Sequence, residues 1–273
     1  MRTDAAVSPS LASALETLRE RGLGLRRGSE PEPMPERARP SVPTGHPALD
    51  AALAGGRGGT GGWPRGALAL LDAPAGRGAS TLALGSLAAA QAAGGLTAWL
   101  DLDGTLDPAV AARLGVSLDW LLVAHPRDPA EAVELAAWLG RSGLIDALVL
   151  DLGERMATAD RRALDRLGAL LARSGSTSVL VLAPGSREVA GAVAGVRVAL
   201  HRTAWLAIGR DLVGQRVHAV VERHRWALSG GSAELDLWFG EGRRIDPLVP
   251  ALAEPRAWAQ PLEARPALRV VSA

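Results

Sequence analysis

The residues with the clearest chemical pattern follow an apolar run at 67–71, where a loop rich in Gly, Ala and Pro leads into an Ala/Leu-rich segment. A strand, a glycine-rich loop and a helix in that order carry the pattern G-x-x-x-x-G-K-[ST], in which backbone N–H groups surround phosphates and the lysine reaches the outer ones. In this chain Ala73 replaces the first glycine and Ala79 replaces the lysine. The stretch, called the phosphate loop below, reads Ala73-Pro74-Ala75-Gly76-Arg77-Gly78-Ala79-Ser80.

Alanine at position 79 removes a charge-assisted contact to phosphate that is worth roughly 1.5–3 kcal/mol. The loss in phosphoryl transfer should be larger, because that reaction needs charge stabilisation on the transferred group. All 30 basic residues of the chain are arginine, so no other lysine can substitute. Two interpretations remain: Arg77 reaches back toward the phosphates, or the loop is only a turn between a strand and a helix. We expect no bound cofactor and no catalytic residue.

Composition excludes several other kinds of chemistry. The chain of 273 residues has no cysteine, which excludes disulfides, cysteine-based zinc sites and cysteine nucleophiles. Its five histidines show no metal-ligand spacing, so no metal site is predicted. The net charge of +1 gives no overall attraction to nucleic acid. Apolar runs are too short for a secretory or membrane segment, and we therefore expect a cytoplasmic protein.

Apolar strands and amphipathic helices alternate from residue 67 to 182, which predicts an α/β fold with a mostly parallel central sheet flanked by helices. After residue 196 the pattern changes to strands joined by glycine-containing turns, which predicts antiparallel strands at the C-terminal edge. Trp99, Trp138 and Trp205 lie in apolar patterns and are predicted to be core residues. Trp226, Trp238 and Trp258 lie in the less regular C-terminal part, where an exposed aromatic residue can be a partner contact.

The predicted organisation has four parts: an amphipathic helix at 1–27, a Pro-rich linker at 28–43, the core at 44–248 and a flexible tail at 249–273. The helix presents one apolar face, and the tail ends in an apolar stretch. The helix either covers its own core or docks on a partner or a second copy, since a helix this short is marginal alone. Candidate partner-binding residues are Leu11, Leu15, Leu18, Trp258, Leu268 and Val270.

Several short segments resemble, in order and spacing, the core of the RecA recombinases. They include a Thr-Gly entry segment, a Gly/Pro turn before the first strand, a strand followed by Leu-Asp-Pro, an Asp-terminated strand and a Gly-Glu-Gly turn. The resemblance implies a RecA-like fold over about 200 residues. The matching segments are 43–50, 63–66, 100–108, 148–151 and 239–242.

The departures from the RecA pattern bear on function. Asp103 stands where the resemblance implies a catalytic glutamate, and Ala183-Pro184 stand where it implies an Asn-Gln sensor of the γ-phosphate. Asp151, at the end of the Walker B-like strand, either holds Mg²⁺ or serves as a turn or cap residue. The two segments that would enter DNA are short, which favours weak or no DNA binding.

With these losses the chain resembles the ImuA family of RecA/SulA-like accessory proteins in damage-induced translesion synthesis. The resemblance implies that the chain is no enzyme and acts through protein contacts. Its implied partners are RecA, an ImuB-type polymerase homologue and an error-prone C-family DNA polymerase, with self-association also open. Two alternatives remain: a weakly active RecA-type ATPase that uses Arg77 and Asp103, and a SulA-like inhibitor of cell division.

Overall fold

A computed structural model describes residues 40–55, 61–153, 161–182, 193–239 and 268–272, the last range for its backbone only. All of them belong to one compact unit, 36–273. The predicted N-terminal helix and most of the predicted linker lie outside the described residues. So do most of the tail and the parts of the two DNA-facing segments at 154–160 and 183–192.

Five parallel strands form one half of the central sheet, in the order β3-β7-β6-β4-β5. Their sequences are near-continuous apolar runs, as expected where helices cover both faces of a parallel sheet. The predicted strands are confirmed, with bounds that differ by a few residues at the ends. The strands are β3 (Ala67–Asp72), β4 (Leu96–Asp101), β5 (Leu121–Ala124), β6 (Ile145–Asp151) and β7 (Ser178–Leu182).

Most of the helices connect these strands, and two of them begin at a capping aspartate. Asp107 and Asp128 each accept backbone N–H hydrogen bonds at a helix N-terminus, and each is followed by a proline that needs no N–H partner. A short 3₁₀ turn (Leu118–Trp120) precedes β5. The helices are α1 (Pro47–Leu53), α2 (Ala79–Ala92), α3 (Pro108–Arg113), α4 (Pro129–Ser142) and α5 (Arg161–Ser174).

Two hydrophobic clusters contain the buried side chains of the sheet and the helices. One joins α1, α2 and α3 to side chains of the sheet and includes Trp63 and Trp99. The other joins α4 and α5 to side chains of β3, β4, β6 and β7, with Leu148 and Leu150 fully buried. Alternate residues of the strands enter different clusters, because successive side chains of a strand point to opposite faces. The parallel half is therefore covered on both faces.

The second half of the sheet is antiparallel, as predicted, and its strands are longer than predicted. They are β8 (Val196–Ile208), β9 (Asp211–His224) and β10 (Ser232–Trp238). The start of β8 pairs in parallel with β3, while nearly all of β8 pairs antiparallel with β9. This pairing holds the polar residues at 201–203 in the strand, although their sequence favours a loop. A separate two-stranded sheet joins β1 (Ser41–Val42) to β2 (Trp63–Pro64).

The end of the tail differs from the loose segment that the sequence predicts. Leu268–Ser272 form a strand, β11, that pairs antiparallel with Ala204–Ile208 of β8. The pairing has a physical reason: β3 lies beside β8 only at Val196–Ala199, so the later residues of β8 have backbone groups without a strand on that side. The backbones of Leu268 and Val270 therefore have a partner within the chain's own sheet.

Candidate functional site

The phosphate loop lies where its pattern predicts, between the end of β3 and the start of α2. Gly76 and Gly78 have φ values of 74° and 93°, which only glycine adopts without strain. Gly78 is the N-cap of α2, and its carbonyl accepts the N–H of Leu82, the first hydrogen bond of the helix. The loop therefore directs the N-terminus of a helix of 14 residues toward the carboxyl end of β3.

The structure brings all the predicted loop residues into one turn. Ala73 is buried, while Gly76 and Ser80 are exposed and Arg77 is half-buried. Ala79 is the first residue of α2, the position that directly follows Gly78. Its methyl group supplies no charge at the helix N-terminus, where the phosphate-binding pattern has an ammonium group.

Three carboxylates form a group that we call the acidic cluster: the predicted residues Asp103 and Asp151, and Asp101, for which no role is predicted. Asp101 and Asp151 are paired across the carboxyl ends of the neighbouring strands β4 and β6. Asp103 follows β4, and a Cβ atom on Gly153 would overlap its carboxylate, so Asp103 lies against the turn after β6. Parallel strands place their carboxyl ends at the same edge of the sheet, which explains how residues 50 positions apart meet.

The carboxylates of Asp101 and Asp151 accept backbone hydrogen bonds that stabilise the turns after β4 and β6. Asp101, fully buried, accepts the backbone N–H groups of Thr105 at 3.0 Å and Leu106 at 2.9 Å. Asp151 accepts the Gly153 N–H at 3.2 Å and faces the Thr105 hydroxyl at 3.5 Å. Burial raises the pKa of the Asp151 carboxyl to about 6, and the charges of Asp101 and Asp103 add to this rise. These hydrogen bonds fit the turn role predicted for Asp151, and its alternative role as a Mg²⁺ ligand stays a prediction.

Two polar residues of the antiparallel half also reach the phosphate loop, and the sequence analysis misses both. The buried Gln215 of β9 lies against Gly76 and Gly78. The Arg202 guanidinium of β8 approaches the Gly76 carbonyl at 3.5 Å and lies 3.9 Å from the ring centre of Trp205. A signal for Gln215 exists, since it shares the inward row of β9 with Val217, Ala219 and Val221, yet is polar.

The fit of this site to a nucleotide triphosphate with Mg²⁺ is incomplete in this conformation. The N-terminal residue of α2 carries no cation, and the Gly78 N–H faces a side-chain amide. Within the described residues, no group of three or more His, Asp or Glu side chains is arranged to hold a metal ion.

The predicted partner-binding residues are not brought together by the described structure. Leu11, Leu15, Leu18 and Trp258 lie outside the described residues, and Leu268 and Val270 belong to β11. The interpretation of Trp138 as a core residue is wrong. Its side chain is 60% exposed, because α4 buries the opposite face, which includes Val133, Ala136 and Leu139. Trp99 is confirmed as a core residue, and Trp205 is half-buried.

The segment from 118 to 144, which contains β5, the edge strand of the parallel half, is rich in exposed large apolar side chains. Among the described residues, nine large apolar side chains are exposed, and six of them belong to the segment from 118 to 144. We call these six the β5 surface. They are Leu118, Trp120, Leu122, Val123, Trp138 and Leu144.

Comparison with known proteins identifies relatives of the same fold. The RecA N-terminal domain family matches residues 34–165. The RecA protein of Frankia casuarinae is 34% identical over 81% of this chain and 71% of its own length. The RecA protein of Thermus thermophilus is 31% identical over 88% and 78%. That of Bifidobacterium longum is 32% identical over 81% of this chain, which spans 62% of that relative's length.

Among solved structures, a RadB recombinase covers 73% of this chain and 97% of its own, with a TM-score of 0.56 and 19% identity. This likeness shows the fold and agrees with the predicted α/β architecture. None of the helices in the described ranges is long and apolar enough to cross a membrane.

The comparisons contradict the prediction that the chain is no enzyme. Its relatives by sequence are RecA proteins, and the similarity extends over most of the chain. That prediction rested on the losses at Ala79, Asp103 and Ala183-Pro184 and on the ImuA resemblance. The identity to the Frankia and Thermus proteins, over more than two thirds of each, shows that this chain belongs to the RecA family.

Proposed function

We propose that this RecA-family chain is an accessory protein of a damage-induced translesion-synthesis complex in the cytoplasm. Its partners in this proposal are RecA, an ImuB-type polymerase homologue and an error-prone C-family DNA polymerase. The chain acts mainly through protein contacts. The proposal rests on the ImuA resemblance and on the distribution of apolar side chains in the fold.

The observation that carries the proposal is the β5 surface. Trp120 is 55% exposed, Trp138 is 60% exposed and Leu144 is 69% exposed. Exposed large apolar side chains favour protein contacts, and tryptophan is among the residues that contribute most to binding. The outer edge of β5 has no strand beside it among the described residues, so its backbone groups also face outward.

The phosphate loop and the charge of the chain support the same proposal. Ala79 leaves any nucleotide with less binding energy than a lysine-containing loop provides, roughly 1.5–3 kcal/mol less. A net charge of +1 supplies little counterion release on DNA. In our proposal, protein contacts therefore contribute more to the function than direct DNA binding does.

A second candidate is a weakly active RecA-type ATPase, which family membership and the acidic cluster favour. Asp103 and Asp151 lie together at the carboxyl ends of β4 and β6, where an α/β sheet binds its ligands. A hydrolysis assay with the full chain distinguishes this candidate. Turnover that Asp151→Asn abolishes and Asp119→Asn leaves unchanged would favour it, since Asp119 is an exposed carboxyl in the 3₁₀ turn before β5.

Affinity purification of the tagged full chain from DNA-damaged cells tests the proposed function. We expect polymerase subunits or RecA to copurify, and we expect Trp120→Ala with Trp138→Ala to weaken that binding at least about thirtyfold. The matched control is Leu212→Ala with Leu228→Ala, which truncates exposed apolar side chains in the antiparallel half. Recovery of FtsZ in place of polymerase subunits would contradict the proposal and favour the SulA-like alternative.

A further inference from the structure

Gln215 is a polar side chain on an otherwise apolar row of β9. The row also contains Val217, Ala219 and Val221, all of them fully buried, and Gln215 itself is only 2% exposed. A buried amide needs hydrogen-bond partners, because an unsatisfied one costs free energy. The partners of Gln215 are backbone groups of the phosphate loop.

The amide of Gln215 bridges two loop residues. When its oxygen faces the Gly78 N–H and its nitrogen faces the Gly76 carbonyl, both hydrogen bonds form at 3.2 Å. The opposite orientation would set acceptor against acceptor and donor against donor, so the partners fix the orientation. Gly78 immediately precedes α2, and its N–H belongs to the set that surrounds phosphate oxygens in loops of this pattern.

Other side chains of the antiparallel half close the same turn. A Cβ atom on Gly78 would overlap Leu237, which is paired with Gln215 across β9 and β10. From β8, the Arg202 guanidinium approaches the Gly76 carbonyl, the same oxygen that the Gln215 amide nitrogen contacts. The loop is thus held from the side of the sheet by residues of β8, β9 and β10.

We propose that Gln215 is an internal ligand of the phosphate loop, and that a phosphate-bearing ligand enters the loop by displacing the Gln215 amide from Gly78. The amide oxygen satisfies a backbone donor that a phosphate oxygen would otherwise accept. This occupation adds to the alanine at position 79 as a cause of the incomplete fit of the loop to a triphosphate in the present conformation. The proposal concerns the loop alone and does not depend on a role in translesion synthesis.

The proposal predicts how substitution changes affinity. Gln215→Ala removes both hydrogen bonds, and Gln215→Met removes them while keeping the length of the side chain. Each variant should bind inorganic tripolyphosphate, and ATP with Mg²⁺, about tenfold more tightly than the unchanged protein, because no internal hydrogen bond has to be broken. A side chain that only supports the fold would give equal or weaker binding when removed.

Calorimetric titration of the full chain with each of these two probes tests the proposal. The matched control is Gln91→Ala, which removes a glutamine near the other end of α2, where it contacts Thr97 and Ser117. Tighter binding by both Gln215 variants, with Gln91→Ala unchanged, supports the proposal. Binding that is equal or weaker in folded variants, including no binding by any protein, overturns it.

A second measurement keeps the proposal testable if the variants do not fold. In the unchanged protein, tripolyphosphate should shift the NMR signals of the Gln215 side-chain amide and of the Gly78 N–H together. A Gly78 signal that moves while the Gln215 amide stays fixed would overturn the proposal, as would two signals that both stay fixed up to the solubility limit of the probe. Failure to recover polymerase subunits from cells would contradict only the proposed function.

Discussion

Side chains alternate between the two faces in both halves of the sheet, but the halves differ in how many of their faces are buried. In the parallel half, every residue from Leu148 to Leu150 is fully buried, because helices cover both faces. In the antiparallel half, β10 alternates between buried and more exposed residues, and its outward row carries Glu234 and Asp236. These pair with His218 and Arg216 of β9.

The difference shows how the candidate site is assembled. The parallel half supplies the phosphate loop and the acidic cluster, at the carboxyl ends of its strands. The antiparallel half supplies Arg202, Gln215 and Leu237, which contact the loop from the side. The phosphate loop follows a strand of the parallel half and is contacted by side chains of the antiparallel half. Its ability to bind a ligand therefore depends on residues that are distant in the sequence.

The largest expected effect concerns packing in the parallel half. Leu148→Ala should lower the free energy of unfolding by about 3–5 kcal/mol, since Leu148 is fully buried and the rigid layers on both sides cannot fill the cavity. Leu212→Ala, at a 55% exposed position of β9, should change it by no more than about 0.5 kcal/mol. Denaturant unfolding measures both. Equal effects would contradict the described burial.

The next effect is a pH dependence of opposite sign in the two halves. The pKa of Asp151 is raised from 3.8 to about 6, so its contribution to stability is present below about 3.8 and lost as pH rises through about 6. Burial lowers the pKa of His224 from 6.5 to about 4, so its contribution is present above about 6.5 and lost as pH falls through about 4. The two contributions oppose each other across this window.

When one of the two groups is removed, the pH dependence of stability should follow the group that remains. Asp151→Asn should be more stable than the unchanged protein at pH 7, by on the order of 2 kcal/mol, with little difference below pH of about 4. His224→Gln should lose less stability on acidification than the unchanged protein. Chemical unfolding between these pH values measures both, with Asp119→Asn as the exposed control. A stability gain for Asp151→Asn that stays constant with pH would contradict the raised pKa.

The smallest effect is expected on the exposed face of the antiparallel half. Arg216 and Asp236 form two hydrogen bonds, at 2.7 and 2.9 Å, with each side chain about one third exposed. A double-mutant cycle of Arg216→Ala and Asp236→Ala should give a coupling of about 0.5 kcal/mol, and less at high salt. A coupling above about 2 kcal/mol would show that this face is shielded from solvent, by a partner or by another part of the chain.

Local secondary structure could be predicted from the sequence, whereas contacts between residues far apart in the sequence could not. The alternation of strands and helices from 67 to 182 follows from short apolar patterns, and the structure confirms it. Asp103 and Asp151 were predicted as separate residues, and the structure brings them close because β4 and β6 are neighbouring parallel strands. Gln215 could not be assigned to the phosphate loop, since the contact depends on the pairing of β8 with β3. Trp138 was misplaced because α4 has small buried residues on its inner face and the larger tryptophan outside.

We infer that the phosphate loop keeps the strand, turn and helix of its pattern and binds phosphate less tightly because alanine stands at position 79. The most direct test is calorimetric titration of ATP with Mg²⁺ into the unchanged chain and into Ala79→Lys. We predict that Ala79→Lys binds about tenfold to a hundredfold more tightly, which corresponds to the roughly 1.5–3 kcal/mol of one charge-assisted hydrogen bond. Unchanged affinity in a folded Ala79→Lys variant would contradict the claim.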